Sequence, residues 1–199
     1  MDVMNFTDPR CVLTSLSLYI IVMRRLFLVF VLFMALPLGA QNLKGFYVQK
    51  IHPDGLLYFV YPQKMAEMKG NMKLGRGSLL YDYTYLDARD SVTLLITVET
   101  NAVFNTDSLF VDLPDGSRYA CAVEMIYREP RKNAWRCRAR CMLTYDVWVR
   151  MYKGQPFTLT LFSIKDNVGL CFRDKAGTWS KVCARFRRLQ EMIRLNRKS

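Results

Sequence analysis

Arg136, Arg138 and Arg140 alternate through the stretch Trp135–Leu143. Alternate residues of a strand project to the same side, roughly 7 Å apart, so three guanidinium groups would line one face. Like charges placed that way repel unless something answers them. One answer is external: a sulfate, phosphate or uronate, which arginine grips in a bidentate fork. The other is internal, with hairpin pairing around Pro130-Arg131 setting Glu124 opposite Arg138. The internal answer carries more weight, because charge on the outer face of a sheet is ordinary. The three arginines are nevertheless the candidate anion-binding residues of this sequence.

Beyond Cys11 the chain carries Cys121, Cys137, Cys141, Cys171 and Cys183. That number is odd, so at least one thiol stays free or pairs between molecules. Cys137 and Cys141 stand four apart on one strand, about 13 Å, and cannot bond to each other. The same symmetric hairpin sets Cys121 opposite Cys141, with Cβ atoms about 4.5–5.5 Å apart, near disulfide range. A Cys121–Cys141 disulfide, or two buried thiols in contact, is the expectation. A register slip of two would put Cys137 in place of Cys141.

Catalytic chemistry finds little support. His52 is the single histidine and sits in a His-Pro-Asp-Gly turn. No Gly-x-Ser-x-Gly elbow or reactive-cysteine signature accompanies it. Cys137-x-x-x-Cys141 has no second pair at finger spacing, so no metal or other cofactor is expected. Asp82, Asp87 and Asp90 cluster, as do Asp112 and Asp115, and paired carboxylates can do general acid–base work. Each stands at a strand end or turn, where Asp bonds local backbone. No catalytic residue is assigned. An envelope hydrolase using carboxylates around Asp82–Asp90 is the alternative function.

The elements that must position these residues follow from period. Phe46–Ile51 and Leu56–Tyr61 flank the Pro53-Asp54-Gly55 turn, with Pro62 ending the second strand. Met65–Gly77 reads as a loop or frayed helix. Leu79, Tyr81, Tyr83 and Tyr85 share one face, as do Val92, Leu94, Ile96 and Val98, and period two is the mark of strand. Leu109, Val111 and Leu113 lead into the turn Pro114-Asp115-Gly116. Tyr119, Cys121, Val123, Met125 and Tyr127 alternate again, and return as Trp135, Cys137, Ala139, Cys141 and Leu143. Thr144-Tyr145-Asp146 starts a short helix through Met151, and strands follow at Phe157–Leu161 and Gly169–Phe172. From Thr178, the expected N-cap, Trp179, Val182, Cys183, Phe186, Leu189 and Ile193 repeat at helical spacing.

The fold class is therefore mainly β: an antiparallel, β-sandwich-like sheet fold with a C-terminal amphipathic helix over about 178–197. One sheet covered by helices, an α+β arrangement, is the alternative. Lys181, Arg185, Arg187, Arg188, Arg194, Arg197 and Lys198 accompany Glu191 on that helix. Its apolar stripe closes a core, while its basic face offers contact with an anionic membrane surface.

The N-terminal residues read as an export signal. Met23-Arg24-Arg25 is a positive head, Leu26–Leu36 an apolar run, Pro37 a breaker, and Leu38-Gly39-Ala40 precedes Gln41. Residues 1–22 read as an upstream over-extension of the start, 23–40 as a signal peptide, and 41–199 as one exported domain. An N-terminal membrane anchor is the alternative; it would bury Arg24 and Arg25 near the middle of a span, at roughly 2.5–3.5 kcal/mol each. This leader resembles those of proteins exported by Bacteroidota-type bacteria. Asp90-Ser91-Val92 and Asp107-Ser108-Leu109 resemble the Asp-Ser/Thr-apolar pattern at which such bacteria O-glycosylate exported proteins. The resemblance makes Ser91 and Ser108 candidate O-glycosylation sites.

A formal charge of +12 bounds the partners. The leader holds Arg10, Arg24 and Arg25 against Asp2 and Asp8, so the body keeps nearly all of it. A basic exported domain suits an anionic glycan, lipopolysaccharide or membrane surface, or an envelope protein partner; export argues against nucleic acid. The sequence reading is a periplasmic, outer-surface or secreted domain, binding or scaffolding without catalysis.

Overall fold

The computed structural model describes residues 23–25, 43, 45–67, 74 and 77–197. The chain falls into two units, Met1–Asn42 and Leu43–Ser199. In the first unit only the exposed helical turn Met23–Arg25 is described. The rest of the leader, on which the export reading depends, lies outside the described residues.

Among the described residues, the second unit is an antiparallel sheet with two helices. Its strands are β1 (Tyr47–His52), β2 (Gly55–Glu67), β3 (Ser78–Leu86), β4 (Ser91–Thr100), β5 (Ser108–Asp112), β6 (Arg118–Ala122), β7 (Glu124–Arg131), β8 (Ala134–Thr144), β9 (Thr158–Ser163) and β10 (Val168–Arg173). Helix α1 (Tyr145–Met151) follows β8, and α2 (Ala176–Asn196) ends the described chain. The mainly-β fold with a C-terminal helix is what the sequence patterning predicts.

Spatial order runs β6-β5-β9-β10-β2-β3-β4-β8-β7, with β1 added beside β2. The two end strands, β6 and β7, are separated in sequence by Val123 alone. One segment thus pairs first with β5 and then with β8, and the sheet curls until its ends meet. The Val123 amide fixes the crossing point by donating to the Asp107 carbonyl at 3.1 Å.

The concave face is apolar because the period-two residues all point into it. Leu79, Tyr81, Tyr83 and Tyr85 of β3, with Val92, Leu94, Ile96 and Val98 of β4, are buried. Helix α2 lays Trp179, Cys183, Phe186, Leu189 and Ile193 against that face. Phe186 is its centre, stacked 3.9 Å from the Tyr152 ring and edge-on to Tyr83 at 5.5 Å. Burying such a side chain contributes roughly 1.5–3 kcal/mol. The helix starts two residues earlier than the sequence suggests. Lys175 is the N-cap and lacks a side-chain cap bond, while the Thr178 hydroxyl donates to the Lys175 carbonyl inside the first turn. Thr144 does cap α1, its hydroxyl accepting from the Val147 amide at 3.3 Å.

Two prolines mislead the sequence reading. β2 continues through Pro62, which coincides with a break in register against β3 between Val60 and Gln63. A bulge is a place where a missing donor costs little. Pro130 likewise does not turn the chain. It lies in β7, which among the described residues pairs with β8 alone, and an edge strand tolerates proline. The turn is Lys132-Asn133, so Pro130 rather than Tyr127 stands opposite Trp135. A second register break between Met125 and Tyr127 then brings Glu124 opposite Arg140, not Arg138.

Candidate functional site

The arginine row forms as β8 alternates, and every member meets a carboxylate on another strand. Arg136 lies between Glu99 of β4 and Glu129 of β7; its Nε donates to Glu99 at 2.8 Å and its Nη1 is 3.7 Å from Glu129. Arg140 makes a two-pronged pair with Glu124, both contacts 2.9 Å. Arg138 reaches past β4 to Asp82 on β3, and also donates to the Thr97 hydroxyl at 2.8 Å. Burial holds the Asp82 carboxyl above its ordinary pKa, while the Arg138 hydrogen bond and charge pull it down. The internal partners therefore occupy much of the donor set, and an incoming anion competes with them.

The three aspartates of the hydrolase alternative are not brought together. Asp82 faces Arg138 on the outer side of the sheet. Asp87 accepts from the Leu56 amide at 2.8 Å and so clamps the β1–β2 turn. Gly55 in that turn has φ +141, and a Cβ there would run into the Asp87 carboxylate. Asp90 pairs with Arg197 at 2.8 Å. His52 accepts from the Asp54 amide at 3.2 Å within its exposed turn. Among the described residues no group of three or more His, Cys, Asp or Glu could hold a metal ion. No described helix is long and apolar enough to cross a membrane.

The basic face of α2 differs from the arginine row. Arg187 donates to the Tyr152 carbonyl at 2.7 Å, Arg194 pairs with Glu191, and Arg197 with Asp90. Lys181, Arg185 and Arg188 are exposed, and none has an ion pair among the described residues. They are spaced by four and three, so they form one stripe along the helix, about 10 Å long. Arg185 also lies 5.9 Å over the Phe46 ring, which fixes where its charge sits.

Cys121 and Cys141 meet by a different route from the one the sequence suggests. They are not partners in a hairpin ladder, because β6 pairs with β5. They come to one cleft at the closing seam, where both thiols are free and Cys121 donates to the Leu109 carbonyl at 3.7 Å. Cys137 does not take part; its thiol donates to the Phe104 carbonyl at 3.8 Å. Ser91 and Ser108 each precede an inward residue, Val92 and Leu109, so both face outward from their strands and are half-buried.

One feature escaped the sequence reading. Asp174, between β10 and α2, is buried at 8 % exposure, and its Oδ2 has no hydrogen-bond partner among the described residues. Burial pushes its carboxyl up to about 6. Its neighbours Arg173 and Lys175 suggest a solvated turn, and nothing local in the sequence marks the aspartate as interior.

Compared with known proteins, the chain matches no protein-family model, no curated protein and no solved structure.

Proposed function

We propose that residues 41–199 form a non-catalytic domain, exported to the cell envelope, that binds or scaffolds on a surface dense in phosphate or carboxylate groups. Acidic envelope glycans and lipopolysaccharide present that chemistry, and so does an anionic membrane. The observation that carries the reading is the exposed stripe Lys181, Arg185 and Arg188, which makes no ion pair among the described residues. A fixed row of like charges costs self-repulsion when empty and is relieved by an anion laid along it. The leader pattern Met23–Ala40 supports export. The outward faces of Ser91 and Ser108 suit glycan attachment there.

The arginine row Arg136, Arg138 and Arg140 is a supporting surface in this reading. Its ion pairs leave less net charge for a ligand, so α2 supplies most of the attraction. Binding is tested with the full chain on immobilised heparin, on lipopolysaccharide aggregates and on vesicles with and without anionic lipid, each through a salt series. Retention that weakens steeply as the screening length shrinks from about 10 Å at 0.1 M to 3 Å at 1 M supports the reading. Comparison of the three matrices separates glycan from lipid headgroup. No retention on any of them at low salt would remove it.

A further inference from the structure

Independently of any anionic partner, we propose that Cys121 and Cys141 are an oxidant-responsive pair that closes into a disulfide across the seam of the curled sheet. Each of the other described thiols has a partner that is not a thiol. Cys137 donates to the Phe104 carbonyl, Cys183 donates to the Tyr152 carbonyl at 3.1 Å, and Cys171 lies 3.3 Å from the Thr160 hydroxyl. Cys121 donates to the Leu109 carbonyl at 3.7 Å, but it also lines one cleft together with Cys141.

Their surroundings are unequal in the way such a pair requires. A cleft of about 330 Å³ opens at the seam, lined by Cys121, Val123, Glu124, Arg140, Cys141 and Met142. Cys121 is half-buried there, and Cys141 lies deeper at 2 % exposure. The closeness of the two thiols lowers the Cys121 thiol from its ordinary pKa, while the same closeness and burial raise that of Cys141. Cys121 is thus the sulfur that a dissolved oxidant reaches first, attacking as its thiolate.

The chemistry balances with a disulfide donor as oxidant, for example glutathione disulfide or a thiol oxidase of the envelope. Cys121 thiolate attacks one sulfur of the donor, breaks its S–S bond and releases one thiolate. That leaves a mixed disulfide on Cys121. The released thiolate takes up the Cys141 proton, and Cys141 sulfur attacks Cys121 sulfur, expelling the second donor thiol. Two protein thiols are oxidised and one donor disulfide is reduced to two thiols.

The product would tie β6 directly to β8. These two strands share no ladder, since β6 pairs with β5 and β8 with β4 and β7. A covalent link there fixes the closure of the sheet, which otherwise depends on how the segment Arg118–Arg131 changes partner at Val123.

The full, folded chain is reduced, freed of reductant, treated with glutathione disulfide, and alkylated. It is then digested without reductant and its peptides are weighed. The expected result is a Cys121–Cys141 linked peptide, with the remaining thiols mostly alkylated. Cys141→Ala is expected to arrest the reaction with glutathione on Cys121, and Cys121→Ser to leave Cys141 alkylated only after denaturation. Near-complete alkylation of Cys121 in the treated natural chain, or linkage of Cys121 to Cys137, Cys171 or Cys183, would overturn the proposal. The natural-chain result stands whether or not the variants fold.

Discussion

Arg138 of β8 reaches past an intervening strand to Asp82 of β3, its Nη2 lying 2.8 Å and 3.1 Å from the two carboxylate oxygens. This pair binds three neighbouring strands, since the same guanidinium also donates to Thr97 of β4. The Asp82 side chain is only 13 % exposed, so its charge depends on that partner. Removing the arginine leaves a largely desolvated carboxylate.

Arg138→Ala is therefore expected to destabilise the fold by about 1–3 kcal/mol, the cost of orphaning a buried polar group. Arg140→Ala breaks a pair that is solvated on both sides and should hardly move the unfolding midpoint. Urea titrations of the two variants check this. Equal, small effects would mean that the Arg138 pair behaves as an ordinary surface contact.

Asp174 sets a pH dependence. Its folded value of about 6 exceeds the ordinary 3.8, so the native state holds the proton more tightly than the unfolded state. By linkage, stability is then greatest with the group protonated and declines as pH rises from about 4 through 6. Asp174→Asn should remove this decline and raise the thermal midpoint at pH 7. Melting curves between pH 4 and 7 decide it: an unchanged slope in the variant would assign the decline to other groups.

Phe186 is expected to anchor α2. Phe186→Ala deletes the ring that meets Phe46, Tyr83 and Tyr152, and should cost about 3–5 kcal/mol. Reversing the charges of Lys181, Arg185 and Arg188, all on the exposed side, should leave the fold intact. Parallel denaturation of both variants checks the division between the packing face and the solvent face.

Period carried most of the fold in the sequence. The alternation Leu79-Tyr81-Tyr83-Tyr85 and the stripe from Trp179 to Ile193 each name a buried face, because a one-residue error would put that face in water. Register was less legible. Pro62 and Pro130 look like strand ends, yet one meets a bulge and the other an edge, both tertiary circumstances. The β7–β8 hairpin ladder ends at Glu124, so it does not set Cys121 opposite Cys141 as the symmetric pairing suggests. The curl of the sheet brings them together, and no local pattern encodes that. Asp174 was missed for the same reason: its burial is created by elements distant in sequence.

The central claim is that α2 supplies the charge that holds an anionic surface. The most direct measurement compares binding to lipopolysaccharide aggregates by the natural chain and two triple variants, at low and high salt. Lys181→Glu with Arg185→Glu and Arg188→Glu is predicted to abolish low-salt binding, while melting as the natural chain does. Arg136→Gln with Arg138→Gln and Arg140→Gln, studied where it remains folded, is predicted to retain most of it. Undiminished binding by the α2 variant, together with loss in the folded β8 variant, would contradict the account and move the site to the arginine row.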